Sequence, residues 1–102
     1  MNVERDVQLS EAAIDDIFDI YSYLKERIGH ERAQAYAFRI EEFCRSPGRF
    51  SSRGRSRNDL RAGLRSMTFE SRAVIVYRIT DSNVDVLRVI HGAQDYGPES
   101  FQ

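Results

Sequence analysis

Apolar and polar residues alternate over the first nine positions of the chain. Met1, Val3, Val7 and Leu9 share one parity, and polar or acidic residues occupy the even positions between and beside them. Because successive side chains of a strand point to opposite faces, this period of two predicts a strand with one face toward water. The first predicted element is therefore a β-strand that ends near Leu9.

Two amphipathic helices are predicted to follow this strand. Apolar residues recur at alternating steps of three and four positions, at Ile14, Ile17, Tyr21, Leu24 and Ile28. Ser10 is a suitable N-cap and Gly29 a suitable stop, which places this helix at about 11–28. A second stripe ends before Pro47 and consists of Ala33, Tyr36, Ala37, Ile40, Phe43 and Cys44. Because Gly29 alone separates them, the two helices are expected to pack as a hairpin.

The second half of the chain begins with a loop and continues with strands. Residues 46–59 read SPGRFSSRGRSRND, a composition that predicts a basic loop. Strand-like runs follow at about 64–69, 72–79 and 84–90, with connections short enough for antiparallel hairpins. The expected fold is α+β and occupies a single domain, 1–102. In it, a strand, two helices and three strands place the helical hairpin on one face of a small antiparallel sheet.

The last two predicted strands are apolar on both sides. In the final run, Val84, Val86 and Ile90 share one parity, whereas Leu87 and Val89 share the other. Two helices cover only one face of a sheet, so a partner protein is expected to cover the other. The alternative is that the loop 46–59 and the C-terminal residues 91–102 fold over that face.

Charge is segregated along the chain, although the formal net charge of the 102 residues is only −1. Residues 1–44 carry a net charge of −5, residues 45–78 carry +7 and residues 79–102 carry −3. Of the 15 basic residues only Lys25 is a lysine, and arginine suits paired contacts with carboxylates and phosphates. Arg53, Arg55 and Arg57 are consistent with a nucleic-acid contact, a solvated loop or a contact for an acidic partner segment.

Several classes of protein are disfavoured by the sequence. No apolar run approaches the roughly 20 residues of a membrane span and no leader-like segment opens the chain, so a cytoplasmic protein is expected. Cys44 has no second cysteine for an intrachain disulfide. His30 and His91 do not form a zinc-binding motif, and the glycines form no phosphate-binding or dinucleotide-binding motif. Neither a metal ion nor a cofactor is expected.

Three ordered motifs occupy the second half of the chain: DLRAGLRS at 59–66, RAVIVYR at 72–78 and VLRVIHGAQD at 86–95. Near the start, LSEAA at 9–13 precedes the acidic helix. In this combination and order, the motifs resemble the ParE branch of the ParE/RelE toxin superfamily. The resemblance covers about residues 6–96 and implies a helical hairpin on a small antiparallel sheet, in agreement with the fold expected from the hydrophobic pattern.

The resemblance implies the toxin of a bacterial type II toxin–antitoxin system, neutralised by direct binding of a cognate antitoxin. ParE-type toxins inhibit DNA gyrase and block replication by binding, so no catalytic residues are expected. RelE-type toxins instead cleave messenger RNA on the ribosome, and the corresponding positions here hold Arg65, Arg72 and His91. The residues after His91 differ from the basic segment and tyrosine of the nucleases, since only Tyr96 approaches that tyrosine's position. A third alternative is a non-toxic, toxin-like subunit that acts as a co-repressor or a plasmid-stabilising partner.

Binding residues are also implied by the resemblance. The expected contacts for antitoxin carboxylates are Arg61, Arg65 and Arg78. ParE-type toxins are linked to gyrase through the C-terminal strand and tail, which makes His91, Tyr96 and Phe101 the candidate gyrase contacts. Residues 97–102 are expected to be mobile, and His91 has an alternative structural role at the end of a strand. No direct DNA binding is expected except through the antitoxin.

Overall fold

A helical hairpin covers one face of a five-stranded sheet in the computed structural model, which describes residues 6–45 and 54–92. The elements are β1 (Asp6–Leu9), α1 (Glu11–Ile28), α2 (His30–Arg45), β2 (Arg55–Ser56), β3 (Leu64–Phe69), β4 (Ala73–Ile79) and β5 (Asn83–His91). Their order across the sheet is β1-β5-β4-β3-β2. The α+β architecture predicted from the hydrophobic pattern is confirmed. Most of the predicted basic loop (46–53) and the predicted tail (97–102) lie outside the described residues.

The expectation of a wholly antiparallel sheet is wrong. β1 pairs with β5 in parallel, from Asp6 opposite Asn83 to Leu9 opposite Val86. The other pairs are antiparallel, and the sheet is therefore mixed. An additional short strand, β2, lies inside the segment predicted to be loop, and it pairs with β3. Alternation in the sequence indicated that β1 is a strand, but it carried no information about the strand beside it.

The bounds of α1 follow from its two capping residues. The hydroxyl oxygen of Ser10 accepts a hydrogen bond from the backbone N–H of Ala13 at 3.0 Å, which satisfies a donor in the first turn. At the other end, the N–H of Gly29 donates to the carbonyl of Lys25, and its φ of 91° is a conformation that glycine adopts readily. The predicted helix at 11–28 is confirmed. Neither described helix is long and apolar enough to cross a membrane.

A β-bulge in β5 changes which side chains face the helices. Val76 pairs with Arg88 and Tyr77 pairs with Val86, so Leu87 has no partner residue in β4. The extra residue shifts the alternation by one position. Val89 therefore joins Val84 and Val86 in the core under the helices, whereas Leu87 packs on the opposite face of the sheet. The sequence-based grouping of Ile90 with Val84 and Val86 is wrong for this reason.

The face of the sheet opposite the helices carries a second apolar cluster. Leu60, from the turn before β3, packs there with Leu64, Val76 and Ile90, and all four residues are buried. The expectation that this face presents an open apolar surface to a partner is therefore wrong for these residues. The large exposed apolar side chains of the described chain instead lie on the helices, at Ile14, Phe18, Tyr23, Ile28 and Phe38.

The start of α1 continues the hydrogen bonding along the edge of β5 where β1 ends. The N–H of Ser10 donates to the carbonyl of Val86, and its hydroxyl donates to the carbonyl of Leu87. Six residues later, the buried carboxylate of Asp16 accepts hydrogen bonds from the N–H of Val89 at 2.8 Å and from Arg88 Nε and Nη2 at 2.7 and 2.9 Å. These contacts attach α1 to the sheet across more than seventy positions of sequence.

Replacing Asp16 by Asn is expected to lower the free energy of unfolding by about 3 kcal/mol, because Arg88 loses its carboxylate partner in a largely buried site. Chemical denaturation measures this change. Asp19→Asn is the matched control, since Asp19 lies on the exposed side of the same helix and should change stability by less than about 0.5 kcal/mol. Equal stability of the two variants would contradict the role assigned to Asp16.

Candidate binding surfaces

An apolar groove runs between the outer sides of α1 and α2. Its volume is about 460 Å³, and its apolar lining includes Leu9, Ile14, Phe18, Ala37 and Phe38. Phe18 is 65% exposed and Phe38 is 61% exposed, so the two helices present their phenylalanines to solvent on either side of the groove. Exposed aromatic residues clustered in a concave surface are typical of a protein-binding site.

Two charged side chains line this groove, and they neutralise each other. Glu41 pairs with Arg45 at 3.1 Å. The rest of the lining is mostly apolar. The groove therefore favours a partner segment that buries apolar side chains.

His91 lies between the two helices at the end of β5. Its ring packs at angles near 65° against Tyr23 of α1 and Tyr36 of α2, with centroid distances of 6.4 and 5.6 Å. It is paired across the sheet with Ala73, and the neighbouring Gly92 donates its N–H to the carbonyl of Arg72. Burial lowers the pKa of His91, and the positive charge of Arg72 lowers it further.

Arginine and tyrosine side chains surround His91 at this end of the molecule. The guanidinium of Arg27 stacks 3.6 Å from the centroid of the Tyr23 ring, and that of Arg39 lies 5.3 Å from the centroid of the Tyr36 ring. Arg39 also donates two hydrogen bonds to Glu70, at 3.0 and 3.1 Å. These bonds lower the pKa of the Glu70 carboxyl. We call this surface the basic aromatic end; it comprises Tyr23, Arg27, Tyr36, Arg39, Glu70, Arg72 and His91.

Tyr36 carries an unsatisfied hydroxyl within the basic aromatic end. Its oxygen is buried and has no hydrogen-bond partner among the described residues. Burial raises the pKa of this hydroxyl, with a further contribution from Glu70. The hydroxyl of Tyr36 therefore stays protonated and is a hydrogen-bond donor within the basic aromatic end.

The three residues considered for RNA cleavage do not all lie together. Arg72 is next to His91, because its carbonyl accepts the N–H of Gly92 and the following residue, Ala73, pairs with His91. Arg65 lies on β3 four residues before Phe69, whose partner Ala73 pairs with His91. At about 3.3 Å per residue, the backbone of Arg65 is roughly 13 Å along the strand direction from that end. Arg65 Nη1 donates instead to the carbonyl of Gly54.

The three arginines considered for antitoxin binding lie near the β2–β3 edge and on β4. Arg61 is exposed in the turn before β3. Arg65 is partly buried beside Gly54, and Arg78 pairs with Asp85 at 3.0 Å. Leu64 and Arg78 are paired residues, which places Arg65 and Arg78 within the same part of the sheet. Of the gyrase candidates, His91 is described, whereas Tyr96 and Phe101 lie outside the described residues.

Cys44 is unsuited to covalent chemistry. Its side chain is fully buried in the core beneath the helices, and burial raises the pKa of its thiol to about 12. The reactive form of cysteine is the thiolate, which is negligible at neutral pH with such a pKa. Cys44 therefore acts as a core residue.

The groove was not predicted from the sequence. Phe18 and Phe38 lie outside the apolar stripes predicted for the two helices, and Ile14 of the first stripe is exposed and lines the groove instead of entering the core. The sequence did contain one signal. Each helix of the hairpin carries a large aromatic residue outside its apolar stripe, and two such residues indicate a shared exposed surface.

The basic aromatic end is partly predictable from the sequence, because the motifs identify Arg72 and His91 as candidate residues. The contributions of Arg27 and Arg39 depend on the packing of the helices.

Comparison with known proteins identifies the family of the chain. Residues 7–96 match the family model described as the ParE toxin of type II toxin–antitoxin systems, parDE. Toxin ParE1 of Caulobacter vibrioides is 32% identical over 84 residues, which cover 82% of this chain and 85% of that protein.

Solved structures extend the comparison to the fold. A chain of the chromosomal ParDE system of P. aeruginosa superposes with a TM-score of 0.68 at 18% identity, covering 86% of this chain and 96% of the other. A chain of the E. coli DinJ–YafQ complex gives a TM-score of 0.48 at 15% identity, covering 85% and 92%. The family match spans both helices and all the described strands, so the chain belongs to the ParE toxin family of type II toxin–antitoxin systems.

Proposed function

We propose that this ParE-type toxin inhibits DNA gyrase, blocks replication in the bacterial cytoplasm and is neutralised by direct binding of a cognate antitoxin. The observation that carries the proposal is the absence of an assembled catalytic set among the described residues. Arg72 and His91 are neighbours, but the side chain of Arg65 donates a hydrogen bond to the carbonyl of Gly54, in another part of the sheet. A toxin that inhibits by binding requires accessible surfaces and no catalytic centre of its own.

The packing of His91 supports a binding protein over a ribonuclease. Cleavage of RNA requires proton transfer near a phosphate whose developing charge is stabilised by cations. Here the imidazole packs against the rings of Tyr23 and Tyr36, contacts that fit a structural role at the end of β5. The adjacency of Arg72 and His91 is the one observation that favours the nuclease alternative.

The groove between α1 and α2 is the proposed main contact for the antitoxin. Phe18 and Phe38 are exposed apolar anchors of the kind that a partner helix or extended segment buries. The chromosomal ParDE system of P. aeruginosa, whose toxin shares this fold, is by name a toxin–antitoxin pair. We propose Arg61, Arg65 and Arg78 as a second contact area, where antitoxin carboxylates form charge-assisted hydrogen bonds.

Purified toxin, freed from its antitoxin, should inhibit ATP-dependent supercoiling of relaxed plasmid by gyrase, and added antitoxin should reverse the inhibition. His91→Gln should weaken inhibition by less than about tenfold, because a surface contact contributes less than a general acid or base, which contributes at least about a hundredfold. Supercoiling assays and ribosomal mRNA-cleavage assays measure both activities. Cleavage of mRNA that is lost in His91→Gln, with gyrase unaffected, would establish the nuclease alternative. Absence of both activities would indicate a non-toxic co-repressor.

Replacing Phe18 and Phe38 together by Ser should weaken antitoxin binding at least about a hundredfold, since two exposed aromatic anchors are removed from the groove. Biolayer interferometry with the isolated antitoxin measures the dissociation constant. Ile28→Ser is the matched control, because Ile28 is also exposed on α1 but does not line the groove. An antitoxin that binds the double variant as tightly as the wild type does not occupy the groove.

A further inference from the structure

We propose that the basic aromatic end contacts an acidic surface of gyrase through the side chains of Arg27 and Arg72. This inference rests on the proposed function and identifies the chemistry of its contact surface. The proposal concerns a surface that is separate from the apolar groove. Tyr23 and Tyr36, which pack on His91, do not line that groove.

The two arginines at this end are accessible, since Arg27 and Arg72 are both exposed. Arg27 Nη1 donates to the carbonyl of Tyr23 at 3.1 Å, and its guanidinium stacks on the ring of the same residue. The backbone of Arg72 is fixed, because its N–H donates to the carbonyl of Phe69 and its carbonyl accepts a hydrogen bond from the N–H of Gly92. Fixing the Arg27 side chain before binding lowers the entropy lost when a partner is bound.

The existing contacts of this surface favour a carboxylate as the bound group. Arg39 binds Glu70 through two hydrogen bonds, which is the bidentate geometry in which a guanidinium binds a carboxylate best. One arginine of this surface therefore already binds a carboxylate. Glu70 neutralises Arg39, whereas the exposed Arg27 and Arg72 leave the surface positive. Complementary charge would therefore direct an acidic protein surface toward this end of the toxin.

A nucleic acid fits the same surface less well. Sequence-tolerant binding of single strands uses open aromatic faces on which bases stack. One face of Tyr23 is covered by Arg27, Tyr36 is buried, and both rings pack against His91. The basic aromatic end thus offers cations but little free aromatic surface, which favours side-chain carboxylates over bases.

Charge reversal at this end tests the proposal directly. Arg72→Glu and Arg27→Glu are each expected to raise the toxin concentration that half-inhibits gyrase supercoiling by about tenfold. Arg55→Glu is the matched control, because Arg55 is exposed on β2 at the other edge of the sheet, and it should stay within about threefold of the wild type. Thermal unfolding of each variant separates a loss of contact from a loss of fold.

Binding to gyrase without DNA, measured by biolayer interferometry at low and high salt, identifies the partner. The proposal predicts that wild-type toxin binds DNA-free gyrase, that salt weakens this binding and that both Glu variants lose it. Equal inhibition by the wild type and both Glu variants would overturn this proposal while leaving gyrase as the target. Loss confined to binding of DNA itself would also overturn it in favour of a nucleic-acid contact. A wild-type toxin that does not affect gyrase would refute the proposed function, and this proposal with it.

Discussion

The buried carboxylate of Asp16 holds the helical hairpin to the sheet. It accepts hydrogen bonds from both Arg88 and the backbone of Val89, at the point where β1 has ended and the edge of β5 would otherwise lack partners. Ser10 makes the adjacent contacts, to the carbonyls of Val86 and Leu87, while its hydroxyl also caps α1. The position of α1, and with it both surfaces formed by the hairpin, depends on these few polar contacts.

The bulge beside this contact determines the composition of the core. Leu87 is the extra residue, and Arg88 follows it. Without the shift in alternation, Val89 would point away from Val84 and Val86 and the helices would pack on a smaller apolar surface. Bulge, buried carboxylate and helix cap therefore act together on one short stretch of β5, and the motif VLRVIH at 86–91 contains all the β5 residues that take part.

Local signals in the sequence predicted the elements well, and non-local pairing explains the errors. Ser10 and Gly29 determine where α1 begins and ends through contacts within a few residues, so its bounds were predictable. The parallel pairing of β1 with β5 joins residues more than seventy positions apart, and alternation alone does not specify it. The bulge at Leu87 has no local signature, which is why Ile90 was assigned to the wrong face.

The candidate surfaces show the same division between local and non-local information. Arg72 and His91 were recognisable from motifs, whereas Arg27 and Arg39 join them only because the hairpin packs over the ends of β4 and β5. Phe18 and Phe38 likewise define a groove only when α1 and α2 lie side by side. The resulting molecule has an apolar groove between the helices of the hairpin and a basic aromatic end near the end of β5.

Inhibition of gyrase by binding, as proposed for this toxin, requires a fixed stoichiometry between toxin and gyrase. Titrating toxin against a fixed amount of gyrase and plasmid, and counting the trapped, cleaved gyrase–DNA complexes, measures that stoichiometry. Trapping should rise in proportion to added toxin and saturate at a fixed ratio of toxin to gyrase. Unaltered gyrase at saturating toxin, together with complete cleavage of ribosome-bound mRNA by substoichiometric toxin, would show instead that the toxin is a nuclease.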